Sequence, residues 1–199
     1  MNTRTATIRR ATSETDVTVE LSLDGTGKAD VSTGIGFYDH LLTALARHAR
    51  LDLVLRCRGD LDVDDHHTVE DCALVLGQAL DQALGDRRGI RRFASAFAPL
   101  DEALARAVID LSGRPWAEIR LEIRSDRIGA MSGENVAHAV RSFATAGRLC
   151  VHLDLERGEN DHHKAEAAFK ALALALREAV SVSGFADVPS TKGTLGVPA

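Results

Sequence analysis

The sequence predicts an α/β sandwich built from one βββαβα unit used twice, with mixed or antiparallel sheets that carry packed helices. Three observations lead there. The word Asp65-His66-His67-Thr68-Val69-Glu70 returns as Asp161-His162-His163-Lys164-Ala165-Glu166, so each half of the 199-residue chain owns one copy. Each copy opens an apolar pattern of helical period. Short alternating segments precede both copies in the same order, the mark of an internal repeat.

Residues 4–10 and the stretch Val17-Thr18-Val19-Glu20-Leu21-Ser22-Leu23 alternate apolar and polar side chains, as strands with one buried face do, and Ser13 and Glu14 fall in the turn between them. After the turn Asp24-Gly25-Thr26-Gly27, a strand over residues 28–33 is expected to complete an antiparallel meander. A helix over 37–49 follows, with Phe37, Leu41, Leu42 and Leu45 as its apolar stripe and His40 inside it. Then come a strand at 51–55, a turn at Gly59, and the first His-His-Glu helix, buried through Val69, Cys72, Ala73, Leu76, Leu80 and Leu84.

The arginine-rich stretch 85–92 joins a first half, 1–92, to a second, 93–199; it reads either as a solvated charge run or as a phosphate contact. In the second half Ala105, Ala107, Ile109 and Leu111 alternate, Gly113-Arg114-Pro115 turns, and Ile119, Leu121 and Ile123 alternate. A helix over 134–147 carries His138, with Val136, Val140 and Phe143 on its apolar face. Val151, Leu153 and Leu155 mark a strand, Gly158 a turn, and Asp161 opens the second His-His-Glu helix, buried through Ala165, Ala168, Phe169, Leu172 and Leu176. Each half alone is small for independent folding, so one domain of two packed repeats is expected.

A net charge of −5 argues against general binding to nucleic acid or a membrane surface, and one Trp with one Tyr leaves little for stacking on bases. The three Cys are odd in number and form no CxxC pair, which suits reduced packing residues. The start of the chain is polar, with no apolar run of membrane-spanning length, so a cytoplasmic protein is expected.

On a helix, the first His and the Glu of each word stand at i and i+4 and share a face, whereas the adjacent His points about 100° away. Each word therefore serves two sites, and two words imply two metal ions. A single His in an apolar stripe is more commonly a core residue, but His40 and His138 hold matched places on the first helix of each half. Each is expected to join the His and Glu of its own half as a partial ligand set, which the halves or neighbouring subunits then complete. Imidazole and carboxylate donors without thiolate suit Mn, Fe, Co or Zn. The polar tail Pro189-Ser190-Thr191-Lys192-Gly193-Thr194 reads as a frayed end or as a flexible anion clamp.

The segments GIGFYDHLLTALARH, GDLDVDDHHTVEDCALVLGQAL, GDRRGIRRF, LDEALARAVIDLSGRPW, GENDHHKAEAAFKALALALR and PSTKG, in that order, closely resemble the imidazoleglycerol-phosphate dehydratases of histidine biosynthesis. The resemblance covers nearly the whole chain and is to the monofunctional form. It implies a duplicated sandwich of the kind known from the second domain of a small-subunit ribosomal protein. It also implies two Mn²⁺ per active site, a phosphorylated imidazole substrate, and a symmetric homo-oligomer of 24 subunits with active sites between them. Carried over by motif, the metal ligands are His40, His66, His67, Glu70, His138, His162, His163 and Glu166. The substrate contacts are Glu14, His48, Arg92, Arg114, Lys170, Ser190 and Lys192, and the catalytic set is Glu14, His67 and Glu166. Two departures from the family pattern are Ala137 beside His138 and a short segment between Trp116 and His138.

The implied reaction is demanding, because the proton to be lost sits on a carbon bearing only a hydroxyl and is not acidic. The substrate's imidazole ring has to supply the electrons that expel the neighbouring hydroxyl. A di-metal phosphohydrolase would use the same ligand types and basic clamp, and a non-enzymatic alternative would use the metals only to staple subunits together.

Overall fold

The computed structural model describes residues 4–195. In the first half, β1 (Thr5–Ala11), β2 (Thr15–Ser22), β3 (Ala29–Ser32), α1 (Gly36–Ala49), β4 (Asp52–Gly59) and α2 (His66–Leu84) follow one another. The second half holds β5 (Phe93–Leu100), β6 (Ala103–Asp110), β7 (Trp116–Arg120), the two-residue strands β8 (Arg127–Ile128) and β9 (Met131–Ser132), α3 (Gly133–Ala146), β10 (Cys150–Arg157) and α4 (Asp161–Ala179). The two main sheets have the same order, β1-β2-β4-β3 and β5-β6-β10-β7. The duplication legible in the two words thus extends to the topology.

Each sheet turns one face to the helices. Along β2, Val17, Val19 and Leu21 are buried while Thr18 and Glu20 face outward, and Ala105, Ala107 and Ile109 do the same on β6. α2 packs on β1 and β2, and α4 on β5 and β6. The helices pack on each other between the sheets, with α1 against α4 and α2 against α3, so the core lies in a layer of four helices. Small residues permit this: α4 buries Ala165, Ala167, Ala168, Ala171, Ala173, Ala175 and Ala179. Where α2 meets α3, a Cβ on Gly77 would stand 2.5 Å from the Phe143 carbonyl oxygen and 2.7 Å from Gly147 N.

Local backbone and side-chain contacts bound the helices. Arg50 adopts a left-handed conformation at φ 60° and donates its N–H to the last carbonyls of α1. Asn160 caps α4 by accepting from His162 N and His163 N at 2.9 and 3.3 Å.

The antiparallel meander expected for the first three strands is not formed. β3 leaves β2 and pairs in parallel with β4, which lies between them, and β7 pairs in parallel with β10 in the same way. The cause is connectivity: α1 separates β3 from β4, and a strand-helix-strand segment returns as a parallel crossover. β5 was not located by pattern, because its inward residues Ala94, Ala96 and Ala98 are small while Phe93 and Phe97 point outward, inverting the usual contrast. β4 runs on through Cys57 to Gly59, beyond the expected end at 55. β7 stops at Arg120, since Glu122 turns to φ 49°, and the expected strand through Ile123 gives way to the β8–β9 hairpin.

Replacing Gly77 with Ala should destabilise the chain by about 1–3 kcal/mol through overpacking of α2 on α3. Urea unfolding checks this, and an unchanged midpoint would mean that the helices can part at no cost.

Candidate metal centre

Because α1 lies on α4 and α2 on α3, each helix pair joins one half to the other. On the first pair, His40 Nε2 is 2.8 Å from Glu166 Oε2, and His162 Nε2 is 3.4 Å from the same oxygen. On the second pair, His138 Nε2 is 3.3 Å from Glu70 Oε1, and the His66 and His138 rings stack with centroids 4.6 Å apart. In each trio the three potential donor atoms lie within 4.8 Å of one another, and these are the two such groups among the described residues.

The expected grouping within each half is therefore corrected. His40 joins the word of the second half and His138 the word of the first, because helix packing is swapped between the repeats. Phe37, one turn before His40, sets the first trio from the side, its ring centroid 4.9 Å from that of His162.

The adjacent imidazoles point elsewhere, as helical geometry requires: the His66 and His67 rings are at 80° to each other, and those of His162 and His163 at 90°. His67 Nδ1 lies 3.0 Å from Asp60 Oδ2, and its Nε2 is 3.9 Å from Glu14 Oε1. His163 Nδ1 lies 2.7 Å from Glu102 Oε2, and its Nε2 is 3.8 Å from Asp101 Oδ2. The two settings are counterparts, since Glu14 sits in the β1–β2 turn and Asp101 and Glu102 in the β5–β6 turn. A carboxylate on Nδ1 fixes the ring and leaves Nε2 as the free donor, the arrangement typical of metal-binding histidine.

Electrostatics follow from these contacts. The Asp60 hydrogen bond raises the His67 pKa, and the Glu102 hydrogen bond raises that of His163. Glu102 itself is held down at about 2, by the backbone N–H of Asn160 and then by His163. Burial alone would raise the Glu166 carboxyl, but hydrogen bonds from Lys170 and His40 outweigh it and hold it at about 2. His48, at the end of α1, is lowered by burial and then by the nearby Lys170 charge.

The substrate contacts implied by resemblance fall into three places. Lys170 Nζ lies 2.6 Å from Glu166 Oε1, so it borders the first trio, with His48 beside it. Arg92 donates to Asp110 at 2.7 and 3.1 Å and to the Pro189 carbonyl at 2.7 Å, which ties the tail segment to β6. Ser190 and Lys192 lie in that tail, where Lys192 N donates to Ser190 Oγ at 3.2 Å. Arg114 is exposed beside the Ser112 turn. Glu14 accompanies His67 rather than either trio. Asp60, Asp101 and Glu102 join the site without having been singled out by sequence. The available signal for Asp60 was its place in an acidic run before the first word, and for Asp101 and Glu102 their place in a hairpin turn matching that of Glu14.

The donor set, imidazole and carboxylate without thiolate, fits a borderline divalent ion such as Mn, Fe, Co or Zn. The sequence profile of the family described as imidazoleglycerol-phosphate dehydratase matches residues 33–176. The chain is 59% identical over 192 residues to imidazoleglycerol-phosphate dehydratase of Phytophthora nicotianae, covering 96% of this chain and 42% of that longer protein. It is 54% identical over 197 residues to the Phaffia rhodozyma enzyme of the same name, covering 96% of each. The crystal structure of IGPD from Pyrococcus furiosus is similar with a TM-score of 0.82 and 36% identity, over 94% of this chain and 100% of that one.

In metal-free protein, changing Glu102 to Gln should lower the His163 titration midpoint toward its ordinary 6.5, and Asp60→Asn should do the same at His67. A raised folded-state pKa stabilises below 6.5 and loses that contribution as pH rises through the raised value. Both variants should therefore flatten the pH dependence of stability in the window upward from pH 6.5, as read by NMR titration and urea midpoints. Midpoints that stay raised would show that the carboxylates do not govern these rings.

Proposed function

This chain belongs to the imidazoleglycerol-phosphate dehydratase family and is thereby a hydro-lyase of histidine biosynthesis, and we propose from that premise that it dehydrates imidazole glycerol phosphate to imidazole acetol phosphate with two divalent metal ions, Mn²⁺ in the first instance, per active site. The observation that carries the metal dependence is the pair of three-donor trios, His40-His162-Glu166 and His66-Glu70-His138. His67 and His163 would supply the remaining imidazole ligands from other copies of the chain, since each is oriented by a carboxylate and turned away from the trios. When bound, such ions would act as Lewis acids toward the substrate's imidazole and ease loss of its ring N–H proton, after which the ring can donate electrons toward the carbon that loses the hydroxyl.

The chain's own groups then divide the remaining work. The hydroxyl leaves from the carbon attached to the ring, a proton leaves the next carbon, and the enol so formed becomes the ketone. Between Glu14 and Glu166, Glu14 is the better proton acceptor: its side chain is half exposed, with His67 Nε2 as a loose neighbour at 3.9 Å. Glu166 is engaged by His40, His162 and Lys170 and held ionised at about 2, which suits a ligand rather than a base. In this reading Arg114, Ser190 and Lys192 would bind the phosphate, as the family resemblance implies. Arg92 supports them by anchoring Pro189, and Lys170 and His48 line the approach to the first trio. Phosphate binding remote from the reacting carbons is then used for orientation.

Sites completed by His67 and His163 from neighbouring copies call for self-association, and a closed assembly of 24 subunits is the form we propose. No helix among the described residues is long and apolar enough to cross a membrane; a cytoplasmic location remains part of the proposal.

His66→Ala or His162→Ala should lower kcat by about 10²–10⁴, because Lewis-acid stabilisation is worth several kcal/mol, and should lower bound Mn²⁺ in parallel. The assay follows ketone formation against inorganic phosphate. Full turnover after thorough chelation would overturn the metal dependence, and phosphate release without ketone would instead indicate a phosphohydrolase. Arg114→Ala and Lys192→Ala should each lower kcat/KM by about 10–100-fold, as expected for loss of a hydrogen bond to a charged group; unchanged kinetics would remove either residue from the phosphate clamp.

A further inference from the structure

Each word begins with an aspartate that neither trio uses. Asp65 is only 4% exposed, yet it does not cap its own helix: the first-turn N–H of His66 is taken by Asp64 at 2.8 Å. The Asp65 carboxylate reaches into the other half instead. Its Oδ2 accepts from Ser132 N at 2.7 Å and from Asn135 Nδ2 at 3.0 Å, and its Oδ1 accepts from Ser132 Oγ at 2.6 Å. Ser132 is the N-cap residue of α3 and Asn135 lies in its first turn, where a negative charge also meets the positive end of the helix dipole.

Contacts along the two helices therefore come in three layers. Asp65 meets Ser132 and Asn135, Glu70 meets His138 one turn further on, and Gly77 meets Phe143 and Gly147 beyond that. The His66-Glu70-His138 trio is held between a buried ionic clamp and a backbone-close helix crossing. We propose that Asp65 is a positioning residue: by holding the first turn of α3, it sets the spacing of His138 from His66 and Glu70 and hence the metal affinity of that trio alone.

The second word is not built the same way. Asp161 accepts from Arg124 N at 3.0 Å, Ser125 N at 2.7 Å and Lys164 Nζ at 2.7 Å. It grips the start of segment 124–135, whose far end Asp65 holds, and makes no hydrogen bond to α1, the helix that carries His40. Loss of Asp65 should accordingly act on one trio and spare the other.

The inference rests on the metal reading proposed above, and the test separates the two. Mn²⁺ binding to the assembled enzyme is measured by EPR of free Mn²⁺, and occupancy at each trio by anomalous scattering at the Mn edge, for the unsubstituted chain, D65A, D65N and N135A. D65A should weaken binding at His66-Glu70-His138 by about 10–100-fold, the range for outer-shell partners of metal ligands, with His40-His162-Glu166 unchanged. D65N keeps one acceptor for Ser132 N and should recover part of the loss. N135A removes one arm only and should give a smaller loss at the same trio, which keeps the test valid should D65A fail to fold. Equal loss at both trios, or folded variants with unchanged occupancy, would overturn the assignment. Absence of Mn²⁺ from both trios in the unsubstituted chain would overturn the metal reading itself.

Discussion

The structure depends on one packing constraint: the first helix of each half must lie against the second helix of the other. α1 on α4 and α2 on α3 form the layer between the sheets, and small residues let the backbones approach. Had each half closed on its own helices, His40 would face His66 and Glu70. The exchange instead makes both trios products of the interface between repeats, so neither half can form a trio without the other. Burial of the helix layer and assembly of the site are then one event.

The second organising feature is the association of each imidazole of the two words, and of His40 and His138, with a carboxylate. Glu166 and Glu70 stand inside the trios, while Asp60 and Glu102 sit behind the outward rings. Inside a trio, the carboxylate adds negative charge where a cation would be held. Behind an outward ring, it fixes which nitrogen is presented. The split between converging and diverging imidazoles follows from adjacency on a helix, since neighbouring residues cannot face the same point. This split is the ground for the proposed sharing of each site among copies of the chain.

Much of this was legible before any fold. The doubled word, the helices that carry it, and the i, i+4 pairing of His66 with Glu70 and of His162 with Glu166 all follow from spacing. So does the divergence of His67 and His163. Less legible were features whose signal is weak or non-local. β5 hides because alanines line its inner face and phenylalanines its outer one. The parallel pairing of β3 with β4 was in principle readable from the intervening helix, but local alternation does not distinguish a meander from a crossover. Glu102 and Asp65 carry no local sign of their roles, since their partners are distant in sequence, and Asp60 is masked by the run of acids around it although His67 is only seven residues on.

Periodicity and repetition in the chain alone determined that there are two equivalent halves, which side chains share a helix face, and which residue types are available to hold a cation. These are short-range properties set by the pitch of a helix and the pleat of a strand. Only the tertiary structure decided which half's histidine meets which half's glutamate, and that Asp65 clamps a helix far along the chain. Such contacts are selected by the close packing of whole helices, to which every residue of the layer contributes and which no local segment encodes.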